Sequence, residues 1–219
     1  QDVVRETEDA VAQGFVQVTL LGQNVNSYRH GETHFPQLLE KISQVDGLKR
    51  IRFTSPHPKD FPDELIRVLA ENPKVCRHVH LPLQAGSDRV LDLMNRTYTQ
   101  EQFLQLVAKI RCAAPDIGLT TDIIVGFPTE TDEDFQETVK VMEAVRFDSA
   151  FIFKYSPRER TLAAKRHKND VPPGTKTERI VHLNELQNRI SLEKNRERIG
   201  TVPDVLIEGQ GTNRSKINF

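Results

Sequence analysis

Short apolar runs alternate with helix-like patterns along most of this chain, and a polar segment joins each run to the helix that follows. Apolar runs with the length of buried strands occur at residues 16–21, 50–53, 75–81, 118–125 and 150–153. Apolar residues at three- and four-residue spacing lie between them, for example Leu38, Leu39, Ile42 and Val45, and this spacing is typical of an amphipathic helix. The repeated strand–helix order predicts an α/β protein with a partial parallel, barrel-like sheet.

The pattern changes towards the C-terminus. Residues 165–176 are polar and include two adjacent prolines and a glycine, which indicates a linker. A long helix is predicted from about Thr177 to Arg198, and residues 201–208 then alternate like a strand that opens another β domain. We therefore predict a partial barrel at residues 1–176, a linking helix at 177–200 and the truncated start of a small β domain at 201–219.

Several residues mark predicted element boundaries. Thr99 and Thr131 are expected to cap helices, and Ser87 is expected to begin and cap a shorter one. The run at residues 118–125 is the most apolar, which predicts a strand covered on both faces.

Five polar segments directly follow the predicted strands. They occupy residues 21–28, 53–58, 81–88, 125–131 and 155–158. Ligands of parallel α/β architectures bind at the carboxyl ends of the strands. The sequence therefore predicts that these strand tips converge on one site.

Two of these segments have the chemistry of a nucleoside or anion site. Gly126 permits close backbone approach and Phe127 offers an aromatic face to a planar ligand such as adenine, although an ordinary turn explains the same residues. Gln84 and Ser87 flank a glycine at a helix start, where free N–H groups bind carboxylates. Capping of its own helix is the simpler role for Ser87.

Amides cluster in the first polar segment, at Gln23, Asn24 and Asn26. Buried amides need hydrogen-bond partners, so the segment is either a hydrogen-bonded loop or a site for the amino-acid end of a ligand. His78 and His80 share one strand face, but no third residue has convincing spacing for a metal site.

Other polar residues suit a substrate. His57 lies between two prolines and either contacts substrate or shapes a turn. Arg158 follows Tyr155 at the last strand tip, and its guanidinium suits a phosphate or carboxylate, with a surface salt bridge as the alternative.

Composition narrows the class of protein. Of the 219 residues 37% are hydrophobic and 28% are charged, and no run has the length of a membrane helix. Cys76 and Cys112 form no metal-spaced pair, which favours a reducing cytosol. Residues 1–153 carry 16 basic and 23 acidic side chains, a net charge of −7, whereas residues 154–219 carry 14 and 8, a net charge of +6. The C-terminal third is either suited to a polyanion or simply solvated.

The chain begins at Gln1 with a helical pattern that should follow an earlier strand. We expect it to be part of a longer protein, cut at both ends.

Taken together, the stretches at residues 20–28, 52–58, 80–88, 121–131 and 155–158 resemble the radical-SAM methylthiotransferases. The amide segment is most similar to the tRNA-modifying branch, which acts on N6-isopentenyladenosine beside the anticodon. Residues 202–216 resemble the start of the RNA-binding β domain called TRAM. Thr129, Glu159 and Arg160 depart from the family pattern, which often has glycine or proline there.

The resemblance implies a partial radical-SAM barrel that lacks its first strand. It also implies that the complete protein uses S-adenosylmethionine and two [4Fe–4S] clusters as cofactors. The three-cysteine loop that holds the radical-generating cluster in this family is absent from this sequence. The complete enzyme would methylthiolate C2 of the adenine, and this piece alone is expected to be inactive. The implied cofactor-binding residues are Gln23, Asn24, Asn26, Gln84, Ser87, Gly126 and Phe127.

The implied substrate contacts are Ser55, His57, Tyr155, Arg158 and Arg214. The implied partners are the tRNA anticodon stem-loop and an electron donor such as flavodoxin or ferredoxin, in the cytoplasm and without a membrane. Threonylcarbamoyladenosine in tRNA or a ribosomal-protein aspartate remains an alternative substrate. A non-catalytic RNA-binding module is an alternative class, and the convergent strand tips argue against it.

Overall fold

A computed structural model describes residues 2–54, 56–158 and 162–207. The strands are β1 (Gln17–Leu20), β2 (Arg29–His30), β3 (Thr33–His34), β4 (Arg50–Phe53), β5 (His78–His80), β6 (Gly118–Val125) and β7 (Ser149–Lys154). The helices are α1 (Asp2–Ala12), α2 (Phe35–Ser43), α3 (Asp63–Glu71), α4 (Asp88–Leu93), α5 (Gln100–Ala113), α6 (Asp132–Val145), α7 (Leu162–Arg166) and α8 (Pro173–Glu197).

Five of the strands run in parallel, as the sequence predicts, in a two-stranded sheet β1-β4 and a three-stranded sheet β5-β6-β7. Strand β1 pairs with β4, and β6 pairs with both β5 and β7, all in parallel. The two groups are joined at Ile51, which accepts a hydrogen bond from Cys76 N at 2.9 Å and donates one to Lys74 O at 2.7 Å. The predicted α/β, partial-barrel fold is confirmed.

The predicted strand at residues 75–81 divides into two parts. Val75 pairs with Ile51 of β4, whereas His78–His80 pairs with β6. The chain passes from one neighbouring strand to the other between them, so the apolar run is longer than β5.

Strand β6 has two unlike faces. Leu119, Thr121, Ile123 and Val125 are fully buried towards the helices, whereas Thr120, Asp122 and Ile124 on the other face are half-buried. The expectation that both faces are covered was wrong, because the inner face carries polar side chains that no helix covers among the described residues.

Helix α8 packs against the barrel rather than standing apart from it. Leu183, Leu186 and Ile190 belong to the hydrophobic core, and Gln187 Nε2 donates to Phe147 O at 2.9 Å. The helix begins at Pro173, because proline suits a first helical turn, so the predicted linker contains its start. The division of the chain at residue 176 stays a prediction.

Residues 201–207 form no strand, contrary to the alternating pattern that predicted one. A strand needs a paired neighbour, and the described part of this segment meets the sheet through Arg50, whose Nη2 donates to Asp204 O at 3.1 Å and lies 3.8 Å from Asp204 Oδ2. Within the same described ranges, no helix is both long and apolar enough to cross a membrane.

Candidate active site at the strand tips

Asn26 ties the segment after β1 to the segment after β4. Its Nδ2 donates to His57 O at 3.0 Å and to Asp60 O at 2.6 Å, and its Oδ1 accepts from His57 N at 2.8 Å. Asn24 Nδ2 and Ser27 Oγ each donate to Asp60 Oδ2 at 3.0 Å. The predicted amide cluster is thus largely a hydrogen-bonded junction between two strand tips, and Gln23 lies exposed beside it.

Tyr98 joins that junction to the next strand tip. Its ring packs edge-on against His57 with centroids 5.7 Å apart, and its hydroxyl donates to Pro82 O and Leu83 O at 3.0 and 3.1 Å. Burial raises the pKa of Tyr98 to about 12 against an opposing effect of Arg96. Burial also lowers the pKa of His57, so a neutral imidazole faces this rim.

Gln84 continues the rim onto β6. Its backbone pairs with Ile123, donating to Asp122 O at 2.8 Å and accepting from Ile124 N at 2.9 Å. Its φ of +68° lies in the left-handed region, where a residue with a side chain is strained. Gln84 is therefore held in an unfavourable conformation at a strand tip, which is a common property of ligand sites.

Ser87 does not cap its own helix, and that expectation was wrong. Its hydroxyl donates instead to Asp134 Oδ1 of α6 at 2.6 Å. Burial would raise the pKa of Asp134, but hydrogen bonds from Arg89, Ser87 and Thr131 outweigh it and hold this pKa well below its ordinary value. The neighbouring Gly86 packs so closely on α6 that a Cβ there would overlap the backbone of Thr138.

The turn after β6 is built around a buried ion pair. Gly126 has a φ of +70°, and its N–H donates to Glu130 Oε2 at 2.6 Å. Arg179 Nη1 donates to the same oxygen at 2.5 Å, and the side chains of Glu130 and Arg179 are 2% and 5% exposed. Lys176 covers the other side of the turn, where its aliphatic chain occupies the space a Cβ of Gly126 would need.

A cleft of ≈ 570 Å³ opens at the carboxyl ends of β6 and β7. Its lining includes Ile124, Phe127, Phe153, Tyr155, Arg158 and Arg96. The rings of Phe127 and Tyr155 meet edge to face with centroids 4.9 Å apart. Two polar atoms of the lining residues, Tyr155 Oη and Arg96 Nε, are buried without a hydrogen-bond partner. The cleft thus combines apolar walls with polar residues, as small-molecule sites do, and two of its lining residues carry buried polar atoms that lack a partner.

The structure brings the predicted residues into two adjoining groups. Phe127, Tyr155 and Arg158 line the cleft, next to Gly126. Asn24, Asn26 and His57 form the other group, which Tyr98 connects to Pro82 and Leu83, directly before Gln84. Ser87 lies beneath the rim against α6. Ser55 and Arg214 lie outside the described residues.

His78 and His80 do share the inner face of β5. Thr120 Oγ1 lies 3.0 Å from His80 Nδ1 and 3.3 Å from His78 Nε2, and His80 Nε2 lies 3.3 Å from Asp122 Oδ2. Burial and Arg52 lower the pKa of His78. The described residues contain no group of three or more potential ligands for a metal ion.

An iron–sulfur cluster does not fit this chain's own residues. The entire sequence has two cysteines, one in the segment before β5 and one in α5, so three thiolates cannot be gathered here.

Several site residues were not predicted. Glu130 lies four residues after Gly126, and this spacing after a buried strand is the sequence feature by which it could have been found. Arg179, Lys176 and Arg96 gave no comparable signal, because each reaches the site from an element that is remote in sequence.

Known proteins resemble this chain in sequence and in fold. A tRNA-2-methylthio-N(6)-dimethylallyladenosine synthase from Acetivibrio thermocellus is 51% identical over 219 residues, which are 99% of this chain and 45% of that protein. The protein of the same description from Thermodesulfovibrio yellowstonii is 47% identical over 209 residues, 95% of this chain and 48% of its own length. This chain spans about half the length of the curated relatives it matches.

Among solved structures, coproporphyrinogen III oxidase from Escherichia coli, described as a radical SAM enzyme, superposes with a TM-score of 0.66. The match has 17% sequence identity and covers 86% of this chain and 45% of that one, so it shows the fold alone. The sequence model of the radical SAM superfamily matches residues 1–142. On this match, the chain belongs to the radical SAM superfamily.

Proposed function

We propose that this chain is the barrel part of a radical-SAM tRNA methylthiotransferase, which adds a methylthio group at C2 of N6-isopentenyladenosine beside the anticodon. The main support is sequence identity: the chain is 47–51% identical, over 95–99% of its length, to proteins described as tRNA-2-methylthio-N(6)-dimethylallyladenosine synthases. The matched stretch covers nearly the whole chain, including the strand-tip segments, which supports a shared fold and a related function.

The cleft at β6 and β7 is the proposed site for the adenosyl end of S-adenosylmethionine. Its volume of ≈ 570 Å³ lies within the range of small-molecule pockets. Phe127 and Tyr155 supply aromatic surface, and Tyr155 Oη and Arg96 Nε supply polar atoms that need partners. When bound, S-adenosylmethionine supplies the radical and methyl chemistry of the reaction, while these residues bind and orient it.

The rim from β1 to Gln84 is the proposed site for the methionine end. Asn24 Oδ1 is buried without a partner and would accept from the ammonium group, with exposed Gln23 beside it. Asn26 and Ser87 have protein partners for their side chains. We propose that these two residues hold the loops in place rather than contact the cofactor.

The remaining assignments follow from the tRNA substrate. Arg158 at the cleft is proposed to face the anticodon stem-loop, together with Ser55, His57, Tyr155 and Arg214. Residues 201–219 are proposed to begin the TRAM-like RNA-binding domain. The ligands of the two [4Fe–4S] clusters would come from elsewhere in the protein, and flavodoxin or ferredoxin would supply electrons, in the cytoplasm.

Nucleoside analysis of tRNA tests this proposal. In cells that lack the full-length protein, methylthio-isopentenyladenosine should disappear and isopentenyladenosine should accumulate, as measured by mass spectrometry. Return of the full-length gene should restore the modification. Unchanged methylthio-isopentenyladenosine in the deletion strain would refute the proposed reaction. Loss of methylthio-threonylcarbamoyladenosine, or of a methylthio-aspartate in a ribosomal protein, would establish one of the alternative substrates instead.

A further inference from the structure

Two aromatic side chains stand exposed on the inner face of the sheet. Phe151 and Phe153 of β7 are 54% and 53% exposed, although they lie within a paired strand. Exposed neighbouring aromatics are unusual on a folded surface and mark interaction sites. Burial in the core of this chain does not account for either ring.

Strand register fixes which face the two rings share. Phe151 lies opposite Asp122, and Phe153 lies opposite Ile124, on the face of β6 that no described helix covers. Lys154, which points the other way, donates to Thr177 of α8 at 2.9 Å. Helix α8 therefore packs on the outer face, and both phenylalanine rings remain on the inner one.

The surroundings of these rings are polar. The ring of His80 packs edge-on to Phe151 with centroids 6.1 Å apart, and Asp122 is paired with the same histidine at 3.3 Å. Arg52 lies near enough to lower the pKa of His78 on the same face. Phe153 also lines the cleft proposed for the adenosyl group, so the inner face and that cleft are continuous.

We propose that Phe151 and Phe153 form a stacking platform for one unpaired RNA base, the adenine that reacts. Bases of single-stranded RNA loops are recognised by stacking on aromatic side chains beside hydrogen-bonding groups and cations. Beside the platform, His80 and Thr120 offer hydrogen-bonding groups to a base edge. A base on Phe151 would lie next to the occupant of the cleft. This inference rests on the proposed function and names the residues that position its substrate.

The test measures binding of an isopentenyladenosine-containing anticodon stem-loop to the full-length protein by fluorescence anisotropy. Loss of one base–aromatic stack costs about 1–3 kcal/mol, which is a fall in affinity of about 5- to 150-fold. Phe151→Ala should weaken binding by that factor, whereas Phe151→Tyr should retain most of it. Phe15→Ala is the matched control, because Phe15 is 59% exposed but lies before β1, and it should change affinity less than twofold.

Hydroxyl-radical footprinting of the wild-type full-length protein gives an answer that does not depend on variants. Phe151 and Phe153 should be oxidised without RNA and protected when the stem-loop binds. Protection in the RNA-free protein would mean that another part of the polypeptide covers the platform, and would overturn the inference. Unchanged affinity of Phe151→Ala would also overturn it.

Failure of this inference and failure of the proposed function have different signatures. If the Phe151→Ala variant binds the stem-loop as tightly as the wild type and methylthiolation in cells is normal, only the platform is refuted. Absence of any effect of the gene on methylthio-isopentenyladenosine would remove the proposed function itself.

Discussion

Arg179 of helix α8 and Glu130 of the turn after β6 form an ion pair at 2.5 Å in which both side chains are almost wholly buried. The same carboxylate oxygen accepts the Gly126 N–H at 2.6 Å. Helix α8 is thereby connected to the turn that borders the cleft. A change in α8 should therefore affect the strand tip as well as overall stability.

Replacement of Arg179 by methionine should be strongly destabilising. Removal of one member of a buried pair leaves an uncompensated charge and costs about 3–5 kcal/mol. Urea denaturation followed by circular dichroism would measure this loss. The double variant Arg179→Met/Glu130→Gln should recover part of it, because no buried charge is then left alone. Arg189→Met is the control, since Arg189 is 63% exposed and 3.8 Å from Glu143, and it should cost less than about 1 kcal/mol.

Replacement of Gly126 by alanine tests the close packing of Lys176 on the turn. Both Gly126 and Gly14 have positive φ, but a Cβ at Gly14 meets nothing within 4 Å. Left-handed strain should cost each variant about 1–2 kcal/mol, and the clash should cost Gly126→Ala about 1–3 kcal/mol more. The measurement is the free energy of unfolding of both variants. Equal losses would show that Lys176 moves aside without cost.

Local signals explain why much of the fold was predictable. Thr99 and Thr131 cap α5 and α6, because their hydroxyl oxygens accept hydrogen bonds from Gln102 N and Asp134 N, as short-range chemistry dictates. Ser87 also has a hydroxyl side chain at a helix start, but this hydroxyl donates to Asp134, 47 residues away. A cap is a local prediction, and it fails where a charged acceptor from another element competes.

The candidate site was predictable only in part, for the same physical reason. That strand tips share one edge follows from parallel pairing, so Phe127, Tyr155 and Arg158 could be placed together. The hydrogen-bond partner of each polar atom could not be predicted. Asn26 forms hydrogen bonds with residues 31 and 34 positions away, and Arg179 forms one with a residue 49 positions away. Sequence spacing carries no information about such contacts.

Replacement of Asn26 by alanine separates a structural role from a cofactor-binding role. It removes three hydrogen bonds between two strand tips and should destabilise the chain by about 2–4 kcal/mol, given roughly 1 kcal/mol for each bond. Gln23→Ala, at an exposed position of the same segment, should change the free energy of unfolding by less than about 0.5 kcal/mol. A stability loss below about 1 kcal/mol for Asn26→Ala would show that the junction does not depend on this amide.

Asp134 should make the chain sensitive to acid. Hydrogen bonds from Arg89, Ser87 and Thr131 hold its folded-state pKa below the ordinary 3.8 despite the opposing effect of burial. Its stabilising contribution is therefore complete above pH 3.8 and is lost as the pH falls below that value towards the folded pKa. Denaturation at pH 7, 4 and 2.5 should show a steeper loss for wild type than for Asp134→Asn. If wild type and Asp134→Asn lose stability in parallel as the pH falls, another carboxylate determines the sensitivity to acid.

Tyr98 should have the opposite effect at high pH. Burial raises its pKa from 10.0 to about 12, so between these values the folded protein keeps a proton that the unfolded chain has lost. Stability from this group is thus complete below pH 10 and falls as the pH rises towards 12, by up to about 1.4 kcal/mol per pH unit. Tyr98→Phe loses two hydrogen bonds to backbone carbonyls and should cost about 1–2 kcal/mol at pH 7. The difference between wild type and Tyr98→Phe in urea denaturation should shrink from pH 9 to pH 11. A constant difference would mean that the phenol ionises equally in both states and that the contact between the His57 and Gln84 tips is open to solvent.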